Sequence, residues 1–226
     1  MQPQIAIVVP VLNEAAAAPA LGQRLRALAA HELLVVDGGS RDETPRLLAE
    51  QGLQVHHAAP GRARQMNTGA AHTKSEVLLF LHADTSLSPQ QVQAAQSAID
   101  AGADFGCFTL RLDSADPRLR LVAALISWRS QLMVSATGDQ AIFIRRSLFD
   151  ALGGYRAVAL CEDLDLIARA RSRGRFVCID QPVCTSARRW QQRGILRTIL
   201  LMWALRLGCH LGIDPATLKR LYEDAR

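Results

Sequence analysis

The stretch LLFLHADT, Leu78 to Thr85, contains the strand at the centre of the predicted fold and two polar side chains at its end. The first four residues are apolar, as in a strand that is buried on both faces of a parallel sheet. His82 and Asp84 follow, and side chains two positions apart lie on the same side of an extended chain. Ligands bind at the carboxyl ends of strands in open α/β sheets, so this pair predicts a binding site. The alternative is an acidic turn that leads into Ser88.

Strand-length apolar runs alternate with helical patterns through the first half of the chain. The predicted strands span residues 5–9, 33–36, 55–58 and 77–81, and helices are predicted up to about residue 30, from residue 42, over 62–72 and over 89–102. This alternation predicts an α/β fold in which a mostly parallel central sheet is flanked by helices.

The second half of the chain has a less regular pattern. Residues 105–112 alternate, which predicts an antiparallel or edge strand, and Asp116-Pro117 is a typical start for a long helix. Further short strands are predicted at 141–144 and 176–179, and a helix is predicted from Cys161 to about Arg173. We find no repeat, linker or low-complexity segment and expect a single domain over residues 1–226.

Composition narrows the class of protein. The chain has 226 residues, a net charge of +5 and a pI of about 9.3, which suits nucleic acid, anionic lipid or phosphorylated substrates. Aromatic residues make up only 5% and do not interleave with basic ones, so we expect no nucleic-acid partner. The five cysteines form no CxxC pair, which predicts reduced thiols in a cytoplasmic protein and no zinc site. The N-terminus lacks the pattern of a signal peptide.

Polar residues follow three of the predicted parallel strands. Asn13 and Glu14 come after the first, Asp37 after the second, and His82 and Asp84 after the fourth. Each has a structural explanation as a helix cap or a turn residue. Three such coincidences at one sheet edge favour a site.

The motifs PVLNE, VVDGGSRDET, GRARQMNTGA, FLHAD and CEDLDL, in this order, resemble the family-two glycosyltransferases, which have the nucleotide-diphospho-sugar transferase (GT-A type) fold. The resemblance covers about residues 5–173. Neither a dinucleotide-binding nor a P-loop fingerprint is present. The resemblance implies a nucleotide-binding half at about 1–104, an acceptor and catalytic half at about 105–190, and C-terminal helices at about 191–226.

The resemblance also implies which residues bind the nucleotide-sugar, most often a uridine derivative. The matching positions are Pro10, Asn13, Glu14, Asp37, Gly38, Arg62, Arg64, Asn67, His82, Ala83 and Asp84. Two positions depart from the family pattern. Gly38 stands where a second Asp is usual, and Met66 stands where an Arg is usual, with Arg62 or Arg64 as candidate replacements. A solvated helix face is the alternative for this pair of arginines.

FLHAD takes the place of the family's Asp-x-Asp motif. Asp84 matches the metal-binding Asp, and a divalent cation there would neutralise the leaving diphosphate. His82 replaces the first Asp, so it is a candidate for a metal ligand, a ribose contact or an indirect partner. Carboxylate and imidazole ligands suit Mn²⁺, and carboxylates alone suit Mg²⁺.

The resemblance places catalysis in the second half. Asp163 matches the general base of inverting transfer, and Glu162 assists it; the alternative is that both only stabilise a helix N-terminus. The acceptor or diphosphate candidates are Gly138, Asp139, Gln140, Arg188, Arg189 and Trp190. The last three resemble the Arg-Arg-Trp of larger polymerising relatives, with a core anchor as the alternative for Trp190.

Residues 195–213 are apolar enough to raise the question of a membrane span. Arg206 lies inside this segment, and a central Arg costs about 2.5–3.5 kcal/mol on insertion scales. We therefore expect a packed or interfacial helix, with contact to anionic lipid as one interpretation and core packing as the other.

The sequence predicts an inverting, metal-assisted glycosyltransferase that transfers a sugar from a nucleotide-diphospho-sugar to an unidentified hydroxyl, with a lipid-linked acceptor left open. A sugar-nucleotide-forming nucleotidyltransferase is one alternative, although its usual Gly-rich turn is replaced by Pro10 to Asn13. A non-catalytic sugar-nucleotide-binding protein at the membrane surface is the other.

Overall fold

The structure, a computed structural model, describes residues 5–28 and 32–224. In this part of the chain, eight strands form one sheet: β1 (Ile5–Val11), β2 (Glu32–Asp37), β3 (Val55–His57), β4 (Val77–Phe80), β5 (Thr85–Ser86), β6 (Phe105–Asp113), β7 (Ile142–Arg145) and β8 (Phe176–Ser186). The helices are α1 (Ala18–Arg26), α2 (Thr44–Ala49), α3 (Arg62–Ala71), α4 (Pro89–Asp100), α5 (Pro117–Met133), α6 (Arg146–Ala151), α7 (Glu162–Ala170), α8 (Arg188–Arg193), α9 (Ile195–His210) and α10 (Pro215–Asp224). The predicted fold class is confirmed. The predicted helix end near residue 30 lies outside the described residues.

The sheet order is β3-β2-β1-β4-β7-β6-β8-β5. The first four strands in this order are parallel, and β7 runs antiparallel between β4 and β6. Val11 at the end of β1 pairs with Asp37 at the end of β2, and Val8 pairs with Phe80 at the end of β4. The carboxyl ends of β1, β2 and β4 therefore lie along one edge of the sheet.

Side chains of β1 alternate between two cores. Ile5, Ile7 and Val9 pack on the face that α1 and α4 cover, whereas Ala6 and Val8 pack on the face that α3 and α7 cover. All seven residues of β1 are buried. A strand that is covered on both faces needs an unbroken apolar run, which is the pattern that the sequence shows.

The prediction that residues 105–112 form an antiparallel or edge strand is wrong in part. β6 is an interior strand that is antiparallel to β7 and parallel to β8. Only Arg111 and Asp113 alternate with buried neighbours, and the first six residues are buried. β8 is also much longer than the predicted 176–179. The prediction ended early because the polar segment Asp180-Gln181-Pro182 interrupts the apolar pattern, at a register shift between β6 and β8.

The prediction of five reduced thiols is also wrong in this structure. Cys161 and Cys209 form a disulfide, and Cys107, Cys178 and Cys184 are free. The bonded pair is 48 residues apart and becomes adjacent only because α9 packs near the start of α7. Sequence spacing contains no signal for such a contact.

The C-terminal segment is helical, as predicted, with α9 ending at His210 and not at residue 213. Among the helices described, none has both the length and the apolar composition that crossing a bilayer requires.

Candidate functional site

The loops that follow β1 and β2 are hydrogen-bonded to each other. The backbone N–H of Asn13 donates to Ser40 Oγ over 2.9 Å, and the backbone N–H of Arg41 donates to Asn13 Oδ1 over 2.9 Å. The backbone N–H of Glu14 donates to Thr44 Oγ1 over 2.7 Å. Asn13 has a φ of 53°, in the left-handed region that Asn tolerates better than most residues. The predicted nucleotide residues Asn13 and Glu14 thus lie at the sheet edge, next to Pro10 in β1.

Asp37 is 1% exposed, and its carboxylate is engaged within its own turn. Asp37 Oδ2 accepts hydrogen bonds from Gly39 N and Ser40 N, each over 3.0 Å. At Gly38, an added Cβ would lie 2.7 Å from Gln65 Cδ. The Gln65 amide donates to backbone carbonyls of both β1 and β2, so it cannot move without loss of these bonds. This packing explains why Gly38 replaces the Asp that is usual in the family.

The structure separates the two arginines of α3. Arg62 Nη1 lies 3.3 Å from Glu162 Oε1, at the candidate catalytic helix. Arg64 is exposed and bonds only the backbone carbonyl before its own helix. Met66 is fully buried in the core, where a charged side chain would need a partner. Arg62 is therefore the arginine of α3 that can contact a ligand.

Asn67 positions the segment before α7. Its Nδ2 donates to Tyr155 O over 2.8 Å, and Tyr155 N donates to Asn67 Oδ1 over 2.9 Å. Because both ends of the amide are bonded to the backbone of Tyr155, we interpret Asn67 as a positioning residue.

Residues 82–84 form a turn and not an extended strand end, which corrects the geometry predicted for this motif. Thr85 N donates to His82 O over 3.0 Å. Arg24 Nη2 of α1 donates to Ala83 O over 2.8 Å, and Ser186 N of β8 donates to Asp84 O over 3.2 Å. Backbone bonds from both sides fix this turn and therefore the directions of its side chains.

His82 and Asp84 nevertheless converge with a third side chain, Asp139. One ligand atom of each residue lies within 4.8 Å of those of the other two, and His82 Nδ1 is 3.1 Å from Asp139 Oδ1. His82 is buried, and its Nε2 has no hydrogen-bond partner in the described part of the chain. One imidazole and two carboxylates are ligands that Mn²⁺ and Mg²⁺ accept, so these residues fit a divalent cation.

Asp139 lies in the short 3-10 turn Gly138–Gln140, where positive charge stabilises its anionic form. Burial raises its pKa, but the hydrogen bond and charge of His82, together with Arg189 and Arg62, outweigh burial and lower the pKa to about 2. Asp139 is thus a carboxylate at any physiological pH, as a metal ligand must be.

Glu162 and Asp163 begin α7, where the helix dipole favours negative charge. Both are buried, and Gly138 N donates to Asp163 Oδ2 over 2.8 Å. Burial, followed by the charge of Glu162, raises the pKa of Asp163 to about 6 despite His82, Arg62 and this hydrogen bond. Asp163 Oδ1 is buried and has no hydrogen-bond partner within the described chain. Asp163 Oδ1 is thus the oxygen of this acid that Gly138 does not bond.

Gln140 and two residues of Arg188-Arg189-Trp190 lie away from this cluster. Gln140 is fully buried, accepts from Ser130 Oγ and donates to the backbone of β6, so its role is to hold the 3-10 turn. Arg188 is exposed, and Trp190 packs against the small core between α5 and α9. Arg189 is the member of the triplet that acts on Asp139 electrostatically.

Two tyrosines at the site were missed by sequence reasoning. Tyr155 is 2% exposed, and burial, then the charges of Asp163 and Glu162, raise its pKa well above normal. The ring of Tyr222, in α10, lies 5.5 Å below the Arg189 guanidinium. Tyr155 follows Gly153 and Gly154, whose turn is a signal that could have identified it, whereas nothing in the sequence points to Tyr222.

Gly138 offers a test of the cluster. A Cβ at this position would lie 2.0 Å from His82 Nε2 and 2.9 Å from Asp163 Oδ2. Gly138→Ala should therefore weaken cation binding about 10- to 100-fold, the range seen when groups that orient metal ligands are changed. Titration with Mn²⁺ measures this. Gly52→Ala is the control, because its Cβ meets nothing within 4 Å and only its positive φ adds strain. Equal Mn²⁺ affinity in both variants would contradict this geometry.

Comparison with known proteins places this site in context. A mannosyltransferase from Pyrobaculum calidifontis, solved with GDP-Man and Mn²⁺, superposes with a TM-score of 0.68 at 20% identity over 100% of this chain and 70% of that one. Glucosyl-3-phosphoglycerate synthase from Mycobacterium tuberculosis, solved with Mn²⁺, UDP-glucose and phosphoglyceric acid, gives 0.60 at 18% identity, over 79% of this chain and 70% of that one. These similarities show that the fold is of the GT-A type.

Sequence comparison identifies the family. An undecaprenyl-phosphate 4-deoxy-4-formamido-L-arabinose transferase from Klebsiella pneumoniae is 26% identical over 66% of this chain and 51% of its own length. This chain spans about half the length of such curated relatives. Residues 6–152 match the family described as Glycosyl transferase family 2. Because that match covers more than half of the chain, this protein belongs to glycosyl transferase family 2.

Proposed function

We propose that the protein transfers a sugar, with inversion, from a nucleotide-diphospho-sugar to an acceptor hydroxyl. The proposal rests above all on one juxtaposition. Gly138 N holds Asp163, a buried acid with a pKa of about 6, directly beside the cation-binding cluster of His82, Asp84 and Asp139. A base and a diphosphate-neutralising site must lie together in any single-displacement sugar transfer.

The residues have separate roles in this mechanism. The donor half, about 1–104, binds the nucleoside near Asn13, Glu14 and Asp37, and we propose uridine as the base. His82, Asp84 and Asp139 would hold a divalent cation, which stabilises the negative charge that develops on the leaving diphosphate. Asp163 Oδ1 accepts the proton of the acceptor hydroxyl while the oxygen of that hydroxyl attacks the anomeric carbon and the diphosphate leaves. The acceptor half is about 105–190.

The positive charge of Arg62 and Arg189 has two effects at the same centre. It lowers the pKa of Asp139. The guanidinium groups that carry this charge can each form two parallel hydrogen bonds to phosphate oxygens. Arg62 also lies against Glu162, so this acid orients the arginine while its charge raises the pKa of Asp163. We assign Glu162 this supporting role.

We propose a lipid-linked acceptor. A groove of about 630 Å³ runs between the starts of α5 and α9, and its lining combines apolar residues with the polar residues Ser114, Asp116, Arg118 and Gln191. The apolar part includes Leu119, Trp190, Ile195 and Leu196. Relatives support this class of acceptor, since one is named an undecaprenyl-phosphate transferase and another, from Synechocystis, a beta-monoglucosyldiacylglycerol synthase.

We further propose that the enzyme acts at the cytoplasmic face of a membrane. Cys107, Cys178 and Cys184 are free, which suits a reducing compartment. The Cys161–Cys209 disulfide is the observation that opposes this placement, because disulfides are rare in reducing compartments.

Titration calorimetry with nucleoside diphosphates tests the donor site. UDP, GDP and ADP are each titrated with and without Mn²⁺. We expect measurable binding only with the cation, and the tightest binding with UDP. Cation-independent affinity for all three would contradict the transferase proposal. Strong binding of a nucleoside triphosphate together with a sugar 1-phosphate would instead favour the nucleotidyltransferase alternative.

A further inference from the structure

Helices α5 and α9 carry the same exposed apolar pattern. Each has Leu, Leu, Trp and Leu at positions i, i+4, i+7 and i+11, which form one stripe along an α-helix. These side chains are between 54% and 73% exposed: Leu121, Leu125, Trp128 and Leu132 in α5, and Leu196, Leu200, Trp203 and Leu207 in α9. We call these eight residues the docking face.

The two stripes lie side by side and face the same direction. Ile195 and Ile199 of α9 pack against the core cluster that Leu119 and Val122 of α5 help to form. At the other end of the pair, Arg206 Nη1 of α9 donates to Ser135 Oγ, just after α5, over 3.2 Å. The helices therefore run parallel. The residues of α5 that pack in this shared core lie to one side of the α5 stripe, and the residues of α9 that pack in it lie to the opposite side of the α9 stripe. The two stripes therefore form one surface.

The chain around the docking face is basic. Residues 117–135 and 187–213 contain no Asp or Glu. The same segments contain eight arginines: Arg118, Arg120, Arg129, Arg188, Arg189, Arg193, Arg197 and Arg206. Of these, Arg197 is exposed and one position from Leu196 in the stripe.

We propose that the docking face binds the surface of an anionic lipid bilayer. Tryptophan prefers the boundary between head groups and acyl chains, and each stripe places one Trp among leucines. Arg118 already pairs with Asp116 just before α5, and anionic head groups would supply partners for the other exposed arginines of these segments. The helices would lie in the plane of the interface and not cross the bilayer.

Charge favours a bilayer over a second copy of this chain. A two-fold symmetric dimer places the same surface on both sides of the contact, so the arginines beside the docking face would meet arginines. Like charges across an interface oppose association. An anionic lipid surface removes this repulsion.

Flotation with vesicles tests the proposal without donor or acceptor, so its outcome is independent of the transferase activity. We expect binding to vesicles of 70% phosphatidylcholine and 30% phosphatidylglycerol, and at least tenfold weaker binding to pure phosphatidylcholine or at 0.5 M NaCl. Trp128→Ser combined with Trp203→Ser should weaken binding at least tenfold. Arg197→Glu should weaken it only on anionic vesicles. Arg171→Glu is the matched control, because Arg171 is exposed after α7 and lies outside both basic segments.

Fluorescence provides a second readout that does not depend on lost affinity. Two of the three tryptophans belong to the docking face, and the third is Trp190. Brominated lipid should quench the wild type strongly and the Trp128→Phe/Trp203→Phe double variant weakly, although the latter still binds. Unchanged vesicle binding of the Trp→Ser double variant, with melting temperatures like wild type, would overturn the proposal. So would a wild-type dimer that these substitutions dissociate, together with no vesicle binding by the wild type.

Discussion

Replacement of Asp163 by Asn should lower kcat for sugar transfer by about 10²- to 10⁴-fold, the range that a general base contributes. Asn has nearly the same shape and keeps an oxygen for Gly138 N, which now donates to Asp163 Oδ2 over 2.8 Å. It cannot accept a proton from the acceptor. Nucleotide binding should therefore change little. Transfer of a labelled sugar measures kcat, and titration with UDP and Mn²⁺ measures donor affinity.

The same substitution should make the fold more stable at pH 7. The pKa of Asp163 is raised from 3.8 to about 6. Between these two pH values, the folded state therefore holds a proton that the unfolded state has released. Stability then falls as pH rises through this window, and the loss is complete above about pH 6. A shift of this size corresponds to at most about 3 kcal/mol. A higher melting temperature of Asp163→Asn at pH 7, with little difference at pH 4, would show this effect.

Asp165 provides the matched control on the same helix. It is bonded to Arg169 Nη2 over 2.7 Å and to Arg156 Nη1 over 3.2 Å. Asp165→Asn should lose some stability and leave kcat within about twofold of wild type. Equal losses of kcat and of UDP affinity in Asp163→Asn would instead identify Asp163 as a structural acid. For the wild type, kcat/KM should fall as pH drops toward the raised pKa of Asp163 in the free enzyme, because the base becomes protonated.

Removal of the divalent cation should abolish transfer, and Asp84→Asn should reduce kcat/KM by on the order of 10²- to 10³-fold, as expected when several kcal/mol of charge stabilisation is lost. Asp84 is exposed, so this change should leave the melting temperature of the protein without added metal near that of wild type. Asp100→Asn is the control, since Asp100, at the end of α4, accepts a hydrogen bond from Gln96 Nε2 and is not part of the cluster. Full activity after exhaustive chelation would contradict the cation site.

His82 distinguishes a metal ligand from a nucleotide contact. If the imidazole is a ligand, His82→Asp should retain partial activity and shift the preference from Mn²⁺ toward Mg²⁺, because an all-oxygen site suits the harder ion. A change in UDP affinity with the same metal preference would assign His82 to the nucleotide. The convergence of His82 with Asp84 and Asp139 makes the first result the expected one.

The sequence predicted which strand ends meet, because parallel apolar strands must align their carboxyl ends. That logic placed Asn13, Asp37 and Asp84 on one edge, and it needed no knowledge of distant contacts. It also predicted that His82 and Asp84 converge, but it did not predict the turn that brings them together. The geometry of this turn depends on hydrogen bonds that Arg24 Nη2 and Ser186 N donate to its backbone carbonyls, and both residues lie far from His82 in the chain.

Features of the site that depend on long-range packing could not be predicted. Position 38 is a glycine because Gln65 lies where its side chain would be. Position 66 is apolar because the orientation of α3 turns it into the core. Tyr222 reaches Arg189 only because α10 folds back beside α8. Each case is a contact between elements whose relative positions no local pattern encodes.

The bond between Cys161 and Cys209 gives the C-terminal part of the chain the topology of a closed ring. This ring contains α7, β8, α8 and most of α9, and it is closed at the residue directly before Glu162. While it is closed, a pull on α9 at a membrane is transmitted through a covalent bond to the first turn of α7. Mechanical coupling between the lipid surface and the base would then depend on the oxidation state of two sulfur atoms.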